Sequence, residues 1–277
     1  MRITGVGDCG VDRYLNLGCD RPGGITLNFA INARRLFPVV DTVGVVTAVG
    51  TDPNSSLVRR AIEKFGLEAC LIERDGTTSI QYIDREPSGE KIFVRYEPGV
   101  LADYRVAERE RAVIAQSDVL MAVVYSQVEG FFDSVMSSAC AGLRVVDFGD
   151  MANLTGGAQL VEEYVDRLHV GFFGLGPRDG ELIDRLEQMA REQRRLFVVT
   201  LAAEGSLALS REPRLRCPAV PVPHLVDTTG AGDTFAAGFL LEYCRSRDVA
   251  ASLACGSRHA AMAVQQVGAF PWADEGR

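Results

Sequence analysis

Lysine is almost missing from this chain of 277 residues: Lys64 and Lys91 are the only two, and all other basic side chains apart from three histidines are arginine. A P-loop needs Gly-Lys-Ser/Thr, and a protein kinase needs a strand lysine in a Val-Ala-Ile-Lys context; the chain has neither. If phosphate is handled here, backbone amides, a metal ion or arginine must neutralise it. The seven cysteines (Cys9, Cys19, Cys70, Cys140, Cys217, Cys244, Cys255) are odd in number, scattered, and never spaced Cys-x-x-Cys. That pattern excludes a disulfide framework and a structural zinc site, and it fits a reducing, cytoplasmic setting. No apolar run approaches membrane-spanning length, and the start, Met1-Arg2-Ile3-Thr4-Gly5, reads as a strand rather than a secretory leader. Positive charge is also short: the net charge is −8, which argues against nucleic acid and anionic membrane as partners. At 47% hydrophobic and 24% charged residues, the composition is that of an ordinary globular protein, and the length allows one large α/β domain over 1–277.

The most informative stretch lies near the C-terminus, Val226-Asp227-Thr228-Thr229-Gly230-Ala231-Gly232-Asp233-Thr234-Phe235-Ala236-Ala237-Gly238-Phe239-Leu240. Phe235, Phe239, Leu240 and Tyr243 fall at helical spacing, so a helix begins near Gly232. Gly230-Ala231-Gly232 then sits at a helix N-terminus with its amides uncovered, where free donors and the helix dipole both favour an anion. Asp233 stands beside it. A site that only holds phosphate gains nothing from a carboxylate, whereas a site that moves phosphate onto a hydroxyl can use one as base. The plainer reading, an acidic residue capping a glycine-rich turn, accounts for Gly-Ala-Gly-Asp alone.

The rest of the chain alternates strands and helices. Gly5-Val6-Gly7-Asp8-Cys9-Gly10 matches Gly-x-Gly-x-x-Gly, but Asp8 lies inside the would-be phosphate turn and 11–17 alternates as a strand, which excludes a dinucleotide fingerprint. Asp8 and Asp12 are either ligand-facing or solvated turn residues. Gly23 and Gly24 precede an apolar helix carrying Asn28. Residues 78–84 and 91–96 alternate around Glu86-Pro87-Ser88-Gly89, which predicts a hairpin. With 11–17 it would leave the main sheet as a small β lid; an antiparallel edge of the main sheet is the competing placement. Strands are expected at 119–124, 143–147, 168–173 and 196–200, with helices between. The result is a doubly wound parallel sheet, which binds ligands beyond the C-terminal strand ends; Asp147, Asp150, Thr200 and Asp233 fall on that edge.

The run Asp227-Thr228-Thr229-Gly230-Ala231-Gly232-Asp233-Thr234-Phe235 resembles the C-terminal signature of the ribokinase/PfkB family of carbohydrate kinases. Gly23-Gly24 followed by a helix with Asn28 resembles its N-terminal signature. Within the family, the segments around Glu97-Pro98-Gly99 and Val146-Asp147-Phe148-Gly149-Asp150, and the ending Gly268-Ala269-Phe270-Pro271-Trp272, are most similar to the fructoselysine 6-kinase subgroup. The resemblance implies a ribokinase-like α/β fold with a β lid over the sugar. It implies Asp233 as catalytic base and Gly230, Ala231 and Gly232 as the anion hole. Asp8, Asp12, Gly23, Gly24 and Asn28 would hold the sugar, and Thr200, Gly205, Thr228, Gly230 and Gly232 the nucleotide. ATP and Mg2+ are the implied co-substrate and cofactor, a monovalent cation is a candidate, and a homodimer through the lid is an expected assembly. Two departures stand out: Gly174-Leu175-Gly176-Pro177-Arg178-Asp179 replaces the family's Asn-x-x-Glu, leaving the metal ligands unassigned, and Thr200-Leu201-Ala202 replaces Thr-Leu-Gly.

The expected activity is ATP-dependent phosphorylation of a primary hydroxyl on a ketose-type sugar, the 6-hydroxyl of a fructosamine being the first choice. Glu97 or Asp103 would meet the ammonium of its amino-acid part. A nucleoside kinase of the same fold and a non-catalytic sugar- or nucleotide-binding relative are the alternatives.

Overall fold

The computed structural model describes residues 1–151, 157–176 and 178–272. Long β-branched runs such as Thr42–Gly50 and Val119–Val123 are buried on both faces, as strands covered by two helical layers must be. The chain order is β1 (Arg2–Val6), β2 (Gly10–Tyr14), β3 (Cys19–Gly23), α1 (Ile25–Leu36), β4 (Thr42–Gly50), α2 (Asn54–Lys64), β5 (Glu68–Arg74), β6 (Ile80–Arg85), β7 (Lys91–Glu97), α3 (Glu108–Ala115), β8 (Val119–Val123), α4 (Glu129–Met136), β9 (Leu143–Asp150), α5 (Gly157–Tyr164), β10 (Val170–Gly174), α6 (Gly180–Gln193), β11 (Leu196–Thr200), β12 (Ser206–Leu209), β13 (Leu215–Cys217), α7 (Ala231–Ser246) and α8 (Val249–Ala263).

Nine strands form the main sheet in the order β13-β12-β11-β10-β9-β8-β1-β4-β5. Seven of them run parallel, and β12 and β13 add antiparallel at one edge. One apolar layer gathers Phe131, Phe132, Val161 and Leu186 from α4, α5 and α6; the other gathers Leu27, Phe29, Val58, Phe235, Phe239 and Leu253 from α1, α2, α7 and α8. Phe235 and Phe239 meet Phe172 edge-on from β10, at centroid distances of 6.5 and 5.5 Å. Burying such a ring is worth roughly 1.5–3 kcal/mol, so the first two turns of α7 are fixed firmly against the sheet. The chain leaves β1 for β4 on one side and later returns to β8 on the other. Beside β1 the sheet therefore has a topological switch point, the place where such sheets bind ligands.

The lid forms as a separate sheet, in the order β3-β2-β6-β7. It has one more strand than expected. β3, Cys19-Asp20-Arg21-Pro22-Gly23, pairs antiparallel with β2, although a proline and a glycine in so short and polar a segment read as a turn. Accordingly β2 ends at Tyr14, and 15–18 makes the turn between the two strands. The pair β12–β13 was likewise hidden in a turn-rich segment.

Candidate functional site

A cavity of about 590 Å³ opens between the C-terminal edge of the main sheet and the lid. Asp8, Asp12, Gly24, Asn28, Asp147, Asp150, Thr200, Thr228, Gly230, Gly232 and Asp233 all line it, so most residues expected to act together do meet. The lid supplies Gln81, Ile83, Lys91 and Phe93. Pairing of Asp12 with Gln81 and of Ile83 with Phe93 shows which lid face looks inward.

Asp233 lies in the first turn of α7 and is only 7% exposed. Its Oδ2 accepts the Asn28 side-chain N–H at 2.8 Å. Burial pushes its pKa well above the usual carboxylate range; the charge of Asp147 adds to the rise, the Asn28 bond and Lys91 oppose it, and Asp8 adds again. Asn28, expected among the sugar-holding residues, therefore stands directly beside the base. Its own Oδ1 is buried without a partner.

Gly230 caps α7 at φ 74, and a Cβ there would lie 2.1 Å from the Cβ of Ala269. Only glycine fits both the left-handed backbone and that contact. At Gly232 a Cβ would meet nothing within 4 Å, so its missing side chain leaves open space on the cavity. The first helical turn leaves the Gly232 and Asp233 amides without an intrahelical acceptor. The Ala231 amide is not free: it donates to Thr228 O at 3.2 Å, which corrects its expected place as an anion donor.

Asp8 follows β1, and its carboxylate accepts long bonds from Thr26 N and the Tyr125 hydroxyl, both 3.4 Å. Burial lifts it to about 6 despite those bonds. Burial likewise lifts Asp12 to about 7, with Lys91 opposing and Asp8 and Asp227 adding. Asp147, within β9, rises to about 6 by burial, opposed by the Gly149 amide at 2.7 Å. These raised values on an acidic face come first from burial, with Lys91 offsetting it in part at Asp12. Such a face suits a divalent cation arriving with phosphate, yet among the described residues no three His, Cys, Asp or Glu side chains gather closely enough to hold one alone. A metal that takes most of its ligands from phosphate and water fits this wall.

Gly23 does not line the cavity; it lies in β3, where a Cβ would overlap the Asp12 carboxyl. Gly205 turns the chain between β11 and β12 at φ 95, backed by Cys217 O, and it is not a cavity residue. Glu97 accepts from the Tyr82 hydroxyl at 3.1 Å and pairs with Arg95 at 2.9 Å; neither it nor Asp103 lines the cavity, so the expected ammonium partners are not there. Within the Gly174 to Asp179 departure, Pro177 lies outside the described residues, and the Asp179 side chain accepts from Gly176 N at 2.7 Å. His259 packs against Gly238 away from the cavity.

Three features were not foreseen. Fully buried Asp227 accepts from the Tyr14 hydroxyl at 2.8 Å, Gly268 N at 2.8 Å and Thr229 N at 2.9 Å, tying lid, loop and C-terminal segment together. Tyr96 and Tyr125 stack at 5.0 Å above Asp8. Lys91 reaches the cavity. The Asp227 node could have been suspected from the adjacency of Val226-Asp227 to the glycine turn; the other two carry no local signal.

Residues 176–273 match the model of the pfkB family carbohydrate kinases. Over 271 residues the chain is 27% identical to fructoselysine 6-kinase of Escherichia coli (strain K12), covering 97% of this chain and 99% of that protein. It is 26% identical to fructosamine kinase FrlD of Bacillus subtilis (strain 168), covering 98% and 93%. Among solved structures, ribokinase from Thermotoga maritima superposes with a TM-score of 0.78 at 20% identity, covering 97% of this chain and 94% of that one. The fold is ribokinase-like, and the match to the pfkB family carbohydrate kinases lies in residues 176–273.

Proposed function

Starting from a pfkB family carbohydrate kinase, we propose that this chain transfers the γ-phosphate of ATP to the primary 6-hydroxyl of a fructosamine such as fructoselysine. The observation that carries the reading is Asp233: a buried carboxylate, held by Asn28, placed at open helix-terminal amides in one cavity with Asp8 and Asp12. The hydroxyl oxygen attacks the γ-phosphorus, the bond to the β-phosphate oxygen breaks, ADP leaves, and Asp233 takes the hydroxyl proton. The Gly232 and Asp233 amides face the transferring oxygens. Asp8, Asp12 and Asn28 Oδ1 are acceptors for sugar hydroxyls, and two carboxylates there disfavour a sugar already phosphorylated. Thr200, Thr228, Gly230 and Gly232 form the nucleotide side. Magnesium bound with the ATP phosphates, facing Asp147, would supply neutralising charge.

The choice of fructosamine rests on the fructoselysine 6-kinase and fructosamine kinase relatives. The test is an ADP-release assay with fructoselysine, other fructosamines, fructose, ribose and adenosine, run with and without Mg2+ and with K+ or Na+. A fructosamine should give the highest kcat/KM. A higher value for ribose or adenosine overturns the substrate, and no ADP release with any acceptor overturns the reaction.

A further inference from the structure

Five aspartates line the cavity, yet among the described residues Lys91 is its one cation. The other lysine, Lys64, lies over the Trp272 ring at 4.8 Å, away from the cavity. We propose that Lys91 is the lid's contribution to phosphate binding: its ammonium contacts the γ-phosphate of ATP and takes the place of the missing P-loop lysine.

The geometry begins with the hairpin that carries it. Lys91 opens β7 and shares the inward face with Phe93, two residues on. The hairpin tip is clamped to the strap that leads into the anion loop. Lys91 N donates to Thr228 Oγ1 at 2.9 Å, Thr228 N donates to Gly89 O at 3.2 Å, and Arg85 Nη1 donates to Val226 O at 2.9 Å. Gly89, at φ 90, lets the tip approach so closely that a Cβ would lie 2.9 Å from the carbonyl oxygens of both Leu225 and Val226. Thr228 is two residues from Gly230 and lines the same cavity. The lysine is thus fixed by its own backbone at the start of the phosphate turn, not merely exposed on a lid strand.

Charge gives that position a purpose. The groups facing Lys91 are Asp12 from β2, Asp233 from α7, and beyond them Asp8, Asp147 and Asp227; its charge lowers the pKa of both Asp12 and Asp233. Among the described residues no arginine lines the cavity, so without Lys91 an entering triphosphate would meet carboxylates and amides there. A lid-borne ammonium corrects that imbalance, and it does so only while the lid lies over the site. The nucleotide and the lid then support each other, since the third phosphate attracts the hairpin tip and the clamped tip brings charge to the phosphate.

This inference rests on the kinase reading, and the experiment separates the two. Binding of adenylyl imidodiphosphate and of ADP, each with Mg2+, is measured by calorimetry for the wild type, Lys91→Gln and Lys91→Arg, beside the steady-state constants. The side chain is exposed, so both variants should fold with an unchanged Tm. A charge-assisted contact to the γ-phosphate predicts a loss of roughly 10- to 100-fold for the triphosphate analogue in Lys91→Gln. ADP affinity should stay within about twofold, kcat should fall with little change in sugar KM, and Lys91→Arg should recover part of the loss. Equal losses for both nucleotides, a change confined to sugar KM, or no change at all would each overturn the γ-phosphate role and leave the kinase reading standing. Wild-type protein that bound neither nucleotide would overturn both.

Discussion

One wall of the cavity is the edge of a sheet buried on both faces; the other is a lid whose outermost strand is exposed along most of its length. β1, β8 and β11 end in the cavity with nearly every residue buried, and the first helical turn of α7 is anchored through Phe235 and Phe239. β7, in contrast, leaves Ile92, Phe93 and Val94 between 37% and 46% exposed. The base and the amides that face the transferring oxygens sit on the rigid wall, where a misplacement of one ångström is costly. Asp12 and Lys91 sit on the lid, whose outer strand makes few buried contacts, the kind of element from which moving parts are drawn. The lid nevertheless reaches the rigid wall at two points, the Tyr14–Asp227 bond and the clamp of 85–91 on 226–228.

The sharpest way to break the rigid wall is chemical. Asp233→Asn keeps the shape and the Asn28 neighbour but removes the base. Turnover should fall by roughly 10²–10⁴, while binding of ATP analogues and Tm change little. Near-normal kcat would remove Asp233 from the role.

A second pair of substitutions separates the two glycines of the turn. Gly232→Val adds atoms in open space, so folding should persist while kcat drops by roughly 10²–10³ as the side chain covers the amides. Gly230→Ala meets Ala269 and a left-handed backbone, so its cost should appear first in stability, about 1–3 kcal/mol by urea denaturation. If Gly232→Val turned over like wild type with a normal fold, phosphate would not bind at this turn.

That glycine turn, and the edge formed by Asp147, Asp150, Thr200 and Asp233, were legible because they depend on local backbone geometry and on the rule for parallel sheets. The helix after Gly230 and the strand ending at Thr200 lie close to where periodicity predicts them, and the strand through Asp147 runs three residues further, to Asp150. What stayed hidden was decided at long range. Nothing near Lys91 in sequence shows that it will meet Thr228, 137 residues away, and β3 is a strand only because β2 offers it a partner. Asn28 is buried against Asp233, and the distance between them is set by the packing of α1 on α7, which no local pattern reports. Gly205, which the resemblance puts with the nucleotide, forms the turn between β11 and β12, and the contact of that turn with Cys217 depends on the pairing of β12 with β13.

The acidic wall also predicts a pH effect on the ligand-free protein. Asp8, Asp12 and Asp147 have folded-state values of about 6, 7 and 6, above the ordinary 3.8. Raised values mean that the folded state holds protons the unfolded chain has released. Their stabilisation is full below about pH 4 and is lost as pH rises through 6 to 7. Other groups set the absolute curve, so the measurable quantity is a difference. Asp12→Asn should gain Tm relative to wild type between pH 5 and 8. A wild-type-minus-variant difference independent of pH would show that Asp12 titrates normally.

The smallest expected effect concerns the exposed lid edge. Among the described residues β7 has no partner strand on its outer side in the order β3-β2-β6-β7, so beyond Lys91, whose N–H is held by Thr228, its outward edge and the side chains of Ile92 and Val94 form a template for another strand. Arg95, stacked 3.8 Å over the Tyr82 ring and paired with Glu97, shields only the far end of this strand. Two lids pairing edge to edge would cover the apolar half and leave both cavities open, because the inward face carrying Lys91 and Phe93 is not the face that pairs. Light scattering at micromolar protein should then give about 60 kDa, twice the 30.0 kDa chain. Val94→Lys should shift the population toward about 30 kDa with at most a few-fold change in kcat, because the charge lies at the edge and away from Asp233. Wild-type protein that remained a single 30 kDa species would show that the lid edge stands alone, and that Lys91, Arg95 and Asp84 suffice to keep it so.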